Sequence, residues 1–87
     1  MKIENKQYDK FYETVNGFVS VALEKELELS TPQVSSSFLY AASGICGRYF
    51  VLKSKHEAVD MESFIKEHIE FFEASFRSWV EHYSNEK

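Results

Sequence analysis

The three histidines are the side chains whose chemistry is easiest to recognise, because imidazole nitrogens bind zinc and paired iron ions. Such sites use histidines four residues apart on one helix, or a glutamate three residues before a histidine on each of two helices. The positions three residues before His56, His68 and His82 hold Lys53, Ile65 and Trp79. Neither spacing occurs, so we expect no metal and no other cofactor, and we interpret His68 as a hydrogen-bonded residue at the edge of the core.

The single cysteine, Cys46, lies beside Ile45 in the middle of a predicted helix. It is far from the helix N-terminus that would stabilise a thiolate. No Cys–His or Ser–His–Asp arrangement can be identified around it or elsewhere in the sequence. We therefore interpret Cys46 as a packed, inert thiol and expect no nucleophilic catalysis.

Three glutamates, Glu67, Glu70 and Glu73, repeat every three residues and could in principle pair carboxylates for acid–base chemistry. Lys66 and Arg77 lie on the same predicted helix and dilute the negative field. No apolar pocket is evident that would raise the pKa of one carboxylate above the others. The pattern is typical of a solvated helix face, and we expect that the protein is not an enzyme.

The formal net charge of -4 opposes binding to phosphate backbones and to anionic lipid surfaces. The one basic cluster, within residues 48–56, lies beside two aromatic residues and could hold a nucleic-acid strand by charge and stacking. Cations near the end of a helix are already explained by the helix dipole. We therefore expect neither nucleic acid nor a membrane as a partner.

Length and apolar runs indicate the broad class of the protein. The longest mostly apolar stretch, residues 38–52, includes Arg48 and is shorter than the roughly 20 residues of a membrane-spanning helix. The start of the sequence has no apolar run of signal-peptide length, and a lone cysteine cannot form an internal disulfide. We expect a cytoplasmic protein whose 87 residues form a single domain.

The first two helices follow from apolar periodicity and from turn residues. Apolar residues from Tyr8 to Ala22 alternate spacings of three and four, which predicts a helix over about residues 6–28. Gly17 inside it is expected to mark the close approach of another helix. After Ser30-Thr31-Pro32, which can cap and begin a helix, the same spacing predicts a second helix over about residues 32–53.

Small residues interrupt the second apolar pattern. Gly44 and Gly47 lie close together in it, and they could bend or break the helix. We expect an intact helix, with a line of small residues along which another backbone can pack closely. An interruption near Ile45 is the alternative.

The third predicted helix begins after Asp60, a good N-cap, and covers about residues 61–83. Its apolar residues occupy more than half of its circumference, since adjacent pairs such as Phe71 and Phe72 point about 100° apart. We predict an all-α fold, an up-down-up three-helix bundle that dimerisation completes. Splayed helices that cover both apolar lines are the alternative. The expected interface residues are Phe64, Phe71, Phe76 and Trp79.

Several apolar and small residues resemble those of a family of short bacterial proteins classed as a domain of unknown function. The resemblance spans most of the chain, and its most specific part is the stretch from Val34 to Ala42. The sequence departs from the family pattern at residues 43–47. The resemblance implies a helical, cytoplasmic, bacterial protein without an established reaction. The residues that carry it are Phe11, Val15, Asn16, Phe18, Val19, Val34, Ser35, Phe38, Leu39, Tyr40, Ala41, Ala42, Tyr49, Phe50, Ile69, Phe71, Phe72 and Trp79.

The sequence favours a non-enzymatic module for protein interaction or self-association, because apolar residues are in excess and no convergent polar site is evident. Its partner would be another protein, including a second copy in a homodimer. A binder of a small apolar ligand in an inter-helix groove is the main alternative. An enzyme whose site forms between subunits is a third. The residues expected to line the ligand groove are Phe72, Phe76, Trp79 and Tyr83.

Overall fold

The computed structural model describes the backbone of residues 6–85 and the side chains of residues 9–85. Within that range the chain forms three α-helices and no strand: α1 (Lys6–Lys25), α2 (Thr31–Ser54) and α3 (Met61–Ser84). These elements confirm the predicted all-α class and fit a three-helix bundle. The predicted apolar stripe of α1 begins at Tyr8, whose side chain lies outside the described residues.

The helix α1 ends three residues earlier than predicted. The amides of Glu26, Leu27 and Glu28 donate to carbonyls three residues back, at 3.0–3.1 Å, instead of four residues back. Such bonds tighten the last turn of a helix and satisfy carbonyls that have no α-helical partner. The apolar spacing continues through this turn, so periodicity alone placed the helix end too late.

A reciprocal pair of side-chain hydrogen bonds begins α2. The Ser30 hydroxyl accepts from the Gln33 amide at 3.3 Å, and the Gln33 side-chain oxygen accepts from the Ser30 amide at 3.0 Å. This capping box satisfies two backbone donors that the helix itself leaves free. The predicted hydroxyl cap is therefore confirmed, and Gln33 supplies the second hydrogen bond of the capping box.

The helix α2 continues without interruption through both of its glycines, as expected. The close approach expected at Gly17 and Gly44 is absent, however. A Cβ atom placed on Gly17, Gly44 or Gly47 would have no neighbouring atom within 4 Å. These positions are open helix surface, so their small size does not serve a contact with any described residue.

Asp60 begins α3 as its N-cap. Its carboxylate accepts from the Ser63 amide at 2.8 Å, and its backbone is extended, with φ of -79° and ψ of 119°. This hydrogen bond, followed by one with the Ser63 side chain, lowers the pKa of Asp60 below its ordinary value. The predicted start of α3 is confirmed.

The chain divides into two compact units, one up to Ile45 and one from Cys46 onward. The first unit contains α1 and the N-terminal part of α2, and the second contains the rest of α2 and α3. Among residues 9–85, Val34 and Phe64 are the only buried apolar side chains, at 7% and 8% exposure. That all 87 residues form a single domain stays a prediction.

None of the three helices is long and apolar enough to cross a membrane.

Candidate interaction surfaces

Aromatic rings pack around Phe64 in the second unit. The rings of Tyr49 and Phe50, both on α2, lie edge-on to the Phe64 ring, with centroids 5.2 and 5.3 Å from it. The imidazole of His68, one turn along α3, lies 4.3 Å from the same ring. Edge-on ring pairs at these distances are favourable beyond the area they bury. This ring cluster fixes which face of α3 points to α2.

His68 belongs to the ring cluster by a hydrogen bond as well as by contact. Its Nδ1 atom lies 2.8 Å from the carbonyl oxygen of Phe64. Since a carbonyl can only accept, Nδ1 carries the proton and donates. His68 is half-buried. The prediction of a hydrogen-bonded histidine at the core edge is confirmed.

The four predicted interface residues differ in their surroundings. Phe64 is the centre of the ring cluster and is not available at the surface. Phe71, Phe76 and Trp79 are 68%, 56% and 38% exposed. The prediction of an interface on the third helix therefore narrows to these three residues and their neighbours.

A straight line of exposed apolar residues runs along α3 beside the line that faces α2. Its members are spaced four, three, four, three and four residues apart, and they are between 38% and 59% exposed. Two pairs of rings along it, Phe72 with Phe76 and Trp79 with Tyr83, are in contact at 5.7 and 5.5 Å. We call this line the α3 seam. It consists of Ile65, Ile69, Phe72, Phe76, Trp79 and Tyr83.

Charged side chains border one side of the α3 seam. Arg77 donates two hydrogen bonds to one carboxylate oxygen of Glu73, at 3.0 and 3.2 Å. Glu70, one turn before Glu73 and two turns before Arg77, is exposed and lies farther from the seam. Together with Glu67 these residues confirm the predicted solvated glutamate face. The seam thus has an apolar centre and a border of mixed charge, which is the usual composition of an interface core and rim.

The first unit contains an apolar groove of about 580 Å³. Helix α1 contributes Phe18 and Val21, α2 contributes Val34 and Phe38, and the turn between them contributes Leu29. The charged residues Lys25 and Glu28 also line the groove, and Ser37 and Ala41 complete its lining on α2. Its volume is within the range of small-molecule sites. The groove was not predicted because its residues come from both helices and the turn between them.

The predicted ligand groove along Phe72 and Phe76 has a different form. A cleft of about 490 Å³ passes these two residues, but every residue that lines it belongs to α3. One helix cannot enclose a ligand, so this cleft is a furrow in the α3 seam. The residues that line it are Ile69, Phe72, Glu73, Phe76, Arg77 and Val80.

The cysteine and the basic cluster lie in surroundings that helix structure alone explains. Cys46 is a half-buried free cysteine on α2. Lys53, from the basic cluster, forms an ion pair with Glu57 at 3.3 Å at the end of α2, where a cation also meets the negative end of the helix dipole. Within the part of the chain that the structure describes, no three His, Cys, Asp or Glu side chains converge as metal ligands.

Comparison with known proteins gives one match. A family model described as a protein of unknown function, DUF3144, matches residues 11–86. No curated protein and no solved structure matches the chain. The match covers all of α2 and α3 and most of α1, so it includes both the α3 seam and the groove of the first unit.

Proposed function

We propose a function from the exposed surfaces of this chain, which belongs to the DUF3144 family of proteins of unknown function. The protein is a non-enzymatic module that works by packing its apolar helix faces against another polypeptide, first of all a second copy of itself. A cytoplasmic location, where no membrane competes for these faces, is part of the proposal.

The observation that carries the proposal is the contrast between buried and exposed apolar groups. Val34 and Phe64 are the only buried apolar side chains among residues 9–85, while large apolar side chains on all three helices are about half exposed. Covering one such ring is worth roughly 1.5–3 kcal/mol. Contiguous apolar surface of this kind marks contact sites for other proteins.

The absence of a convergent polar site is the reason for preferring a binding role to catalysis. The lowered pKa of Asp60 is explained by helix capping and does not indicate a reactive site. Active sites usually hold several carboxylates or imidazoles whose pKa values are moved by burial or by neighbouring charge. Here the exposed groups are apolar and the polar groups are solvated.

The test is the solution mass of the protein as a function of concentration. We expect a dimer in analytical ultracentrifugation at micromolar concentrations. Phe76→Glu places a charge in the α3 seam and should yield a monomer that keeps its helical circular dichroism. Leu27→Glu is the matched control, because Leu27 is 86% exposed in the turn after α1 and should leave the mass unchanged. A wild-type protein that stays monomeric at several hundred micromolar overturns the proposal.

A second function is favoured by the groove of the first unit. Its volume and apolar lining suit a small hydrophobic molecule, with Lys25 at the edge for an anionic group. The probe is anilinonaphthalene sulfonate, an apolar anion. Ala22 also lines this groove, so Ala22→Trp should fill it. Saturable binding of one probe per chain, lost in Ala22→Trp but kept in Phe76→Glu, supports this function. Weak binding that both variants reduce equally contradicts it.

A further inference from the structure

We propose that the middle of α2 is a hinge, in which the turn through residues 43–47 opens and recloses while the rest of the protein stays folded. The two units on either side of this turn keep their own interiors during the opening. The proposal goes beyond the proposed function, because it concerns a motion within one chain and holds whatever covers the exposed helix faces.

The hinge lies where the two units divide. Their boundary falls between Ile45 and Cys46, in the interior of α2 rather than in a turn between helices. Each unit packs its own part of this helix. Val34 is buried in the first unit, and the Phe50 ring lies against the Phe64 ring in the second. The turn at the boundary therefore lies at the margin of both interiors.

Side-chain packing is sparse along this part of α2. Every residue from 35 to 45 is exposed, and Ile45 is 67% exposed although it is a large aliphatic residue. Cys46 is half-buried, and Gly47 and Arg48 are exposed again. Most of the stability of a helix in a protein comes from the packing of one face rather than from the helix itself. The described residues give the middle of α2 little of that support.

The residues of the turn are also poor helix formers. Gly44 and Gly47 each favour opening about two- to fivefold relative to alanine. Neither glycine is needed to admit a neighbour, because a Cβ atom at either position would meet no described atom within 4 Å. The Ser43 hydroxyl donates to the carbonyl oxygen of Tyr40 at 2.7 Å. Hydrogen bonds of this kind compete with those of the helix, and helices often kink at serine–glycine pairs.

Three independent features thus coincide within one turn of α2: the division between the units, the sparse packing and the two glycines. A hinge is a short segment that absorbs a change in backbone angles while the structure on either side stays intact. Glycine suits this role because it has no Cβ atom to restrict those angles. When the turn opens, the groove of the first unit and the ring cluster of the second are therefore retained.

Hydrogen exchange measures the opening directly. An ordinary helix frays at its ends, so the amides of its middle exchange most slowly. A hinge reverses this profile. After correction for intrinsic rates, the amides of residues 46–49 should exchange about tenfold faster than those of residues 36–39 and 51–53, because opening breaks their bonds to carbonyls four residues back.

Alanine substitutions at the glycines test whether the opening is local. Gly44→Ala and Gly47→Ala should each slow the exchange of the 46–49 amides about two- to fivefold, and the double variant about five- to twentyfold. Gly17→Ala is the matched control, because Gly17 is also helical and faces open space but lies in α1. A local opening leaves the 46–49 amides unchanged in Gly17→Ala. Exchange through global unfolding is slowed by all three substitutions alike.

The thiol of Cys46 gives a second measurement, because it is the only cysteine of the chain and lies within the turn. Its reaction with dithionitrobenzoate in native buffer should be slowed about two- to fivefold by Gly44→Ala and left unchanged by Gly17→Ala. The rates should be the same at two protein concentrations tenfold apart, since the motion takes place within one chain.

The outcomes decide between a hinge and a rigid helix. Fast exchange at residues 46–49 that Gly44→Ala and Gly47→Ala slow, and that Gly17→Ala leaves unchanged, supports the hinge. An α2 helix whose middle is its best-protected part overturns it. Equal effects of the three alanine substitutions overturn it as well, because they show that α2 opens only when the whole protein unfolds.

Discussion

The two units of this chain have the same plan, two helices joined by a short turn, but their interiors differ in chemistry. In the second unit, the rings of Tyr49, Phe50 and His68 surround Phe64, with centroids 4.3–5.3 Å from its ring. The rings of Tyr49 and His68 also lie 6.0 Å from each other. Among the described side chains of the first unit, Val34 is the buried one, and those of α1 that are most covered are Val15, Val19 and Ala22.

A pair of helices can be held together with or without side chains that fill the space between them. Rings reach far from the helix axis and fill that space, so the second unit has its rings in contact. Valine and alanine are short, so the first unit leaves a groove of about 580 Å³ beside Val34. The aromatic residues of that groove, Phe18 and Phe38, remain largely exposed. We expect the second unit to be the more stable of the two.

The largest expected effect is the loss of the central residue of each unit. Phe64→Ala should lower the free energy of unfolding by about 3–5 kcal/mol, because it removes a buried ring and leaves a cavity. Val34→Ala removes two carbons and should cost about 1.5–2 kcal/mol. Urea titrations followed by circular dichroism measure both. Equal losses of stability would contradict the difference between the two units, since they would mean that the ring cluster packs no better than the valine.

The next effect concerns the start of α2 in the first unit. Ser30→Ala removes one half of the capping box and should destabilise by about 1 kcal/mol. Gln33→Ala removes the other half and should have a similar effect. Pro32→Ala is the control, because proline in the first helical turn gives up no needed hydrogen bond. A larger loss for Pro32→Ala than for Ser30→Ala would show that the capping box does not hold this turn.

A smaller gain is expected at the glycines of α2. Gly44→Ala in the first unit and Gly47→Ala in the second should each stabilise by about 0.5–1 kcal/mol, because both positions are helical and face open space. Thermal melting at low protein concentration measures the gain. A loss that appears only at concentrations where the protein dimerises would show that a partner helix packs against that glycine.

The smallest effect is confined to acidic solution and to the second unit. The folded pKa of Asp60 is lowered by its hydrogen bonds to Ser63. The charged carboxylate therefore stabilises the folded state at pH values above its ordinary pKa of 3.8, and this contribution is lost as the pH falls through the lower folded value. Asp60→Asn keeps a capping oxygen without the charge. Its stability should vary less than that of the wild type between pH 5 and about pH 2.5. Parallel pH curves for the two proteins would contradict this.

Much of the fold could be predicted because helix formation is local. The apolar spacing located all three helices, and Asp60 located the start of α3 to the residue. The error at the end of α1 arose because Leu27 and Leu29 continue the apolar spacing into a turn. Hydrogen bonds three residues apart stop the helix there, and apolar periodicity carries no information about them.

The candidate surfaces could be predicted less well from the sequence than the helices. That α3 carries more apolar residues than its neighbours can cover was evident from adjacent pairs such as Phe71 and Phe72. Which member of each pair faces inward was not evident, because both lines have helical spacing. The even alternation of four and three from Ile65 to Tyr83 was the available signal for the seam.

Residue types at short separations were enough to predict the all-α class and the three helices, and they contain no recognisable catalytic pattern. Packing between distant residues placed Phe64 inside and Phe76 outside, and it placed Phe18 and Phe38 beside a groove. It also decided that the glycines of α2 face open space. These properties depend on the rotation of each helix about its axis, which is set by contacts between residues distant in the chain, such as Tyr49 with Phe64. Periodicity gives the width of an apolar face, and packing chooses the part of it that is buried.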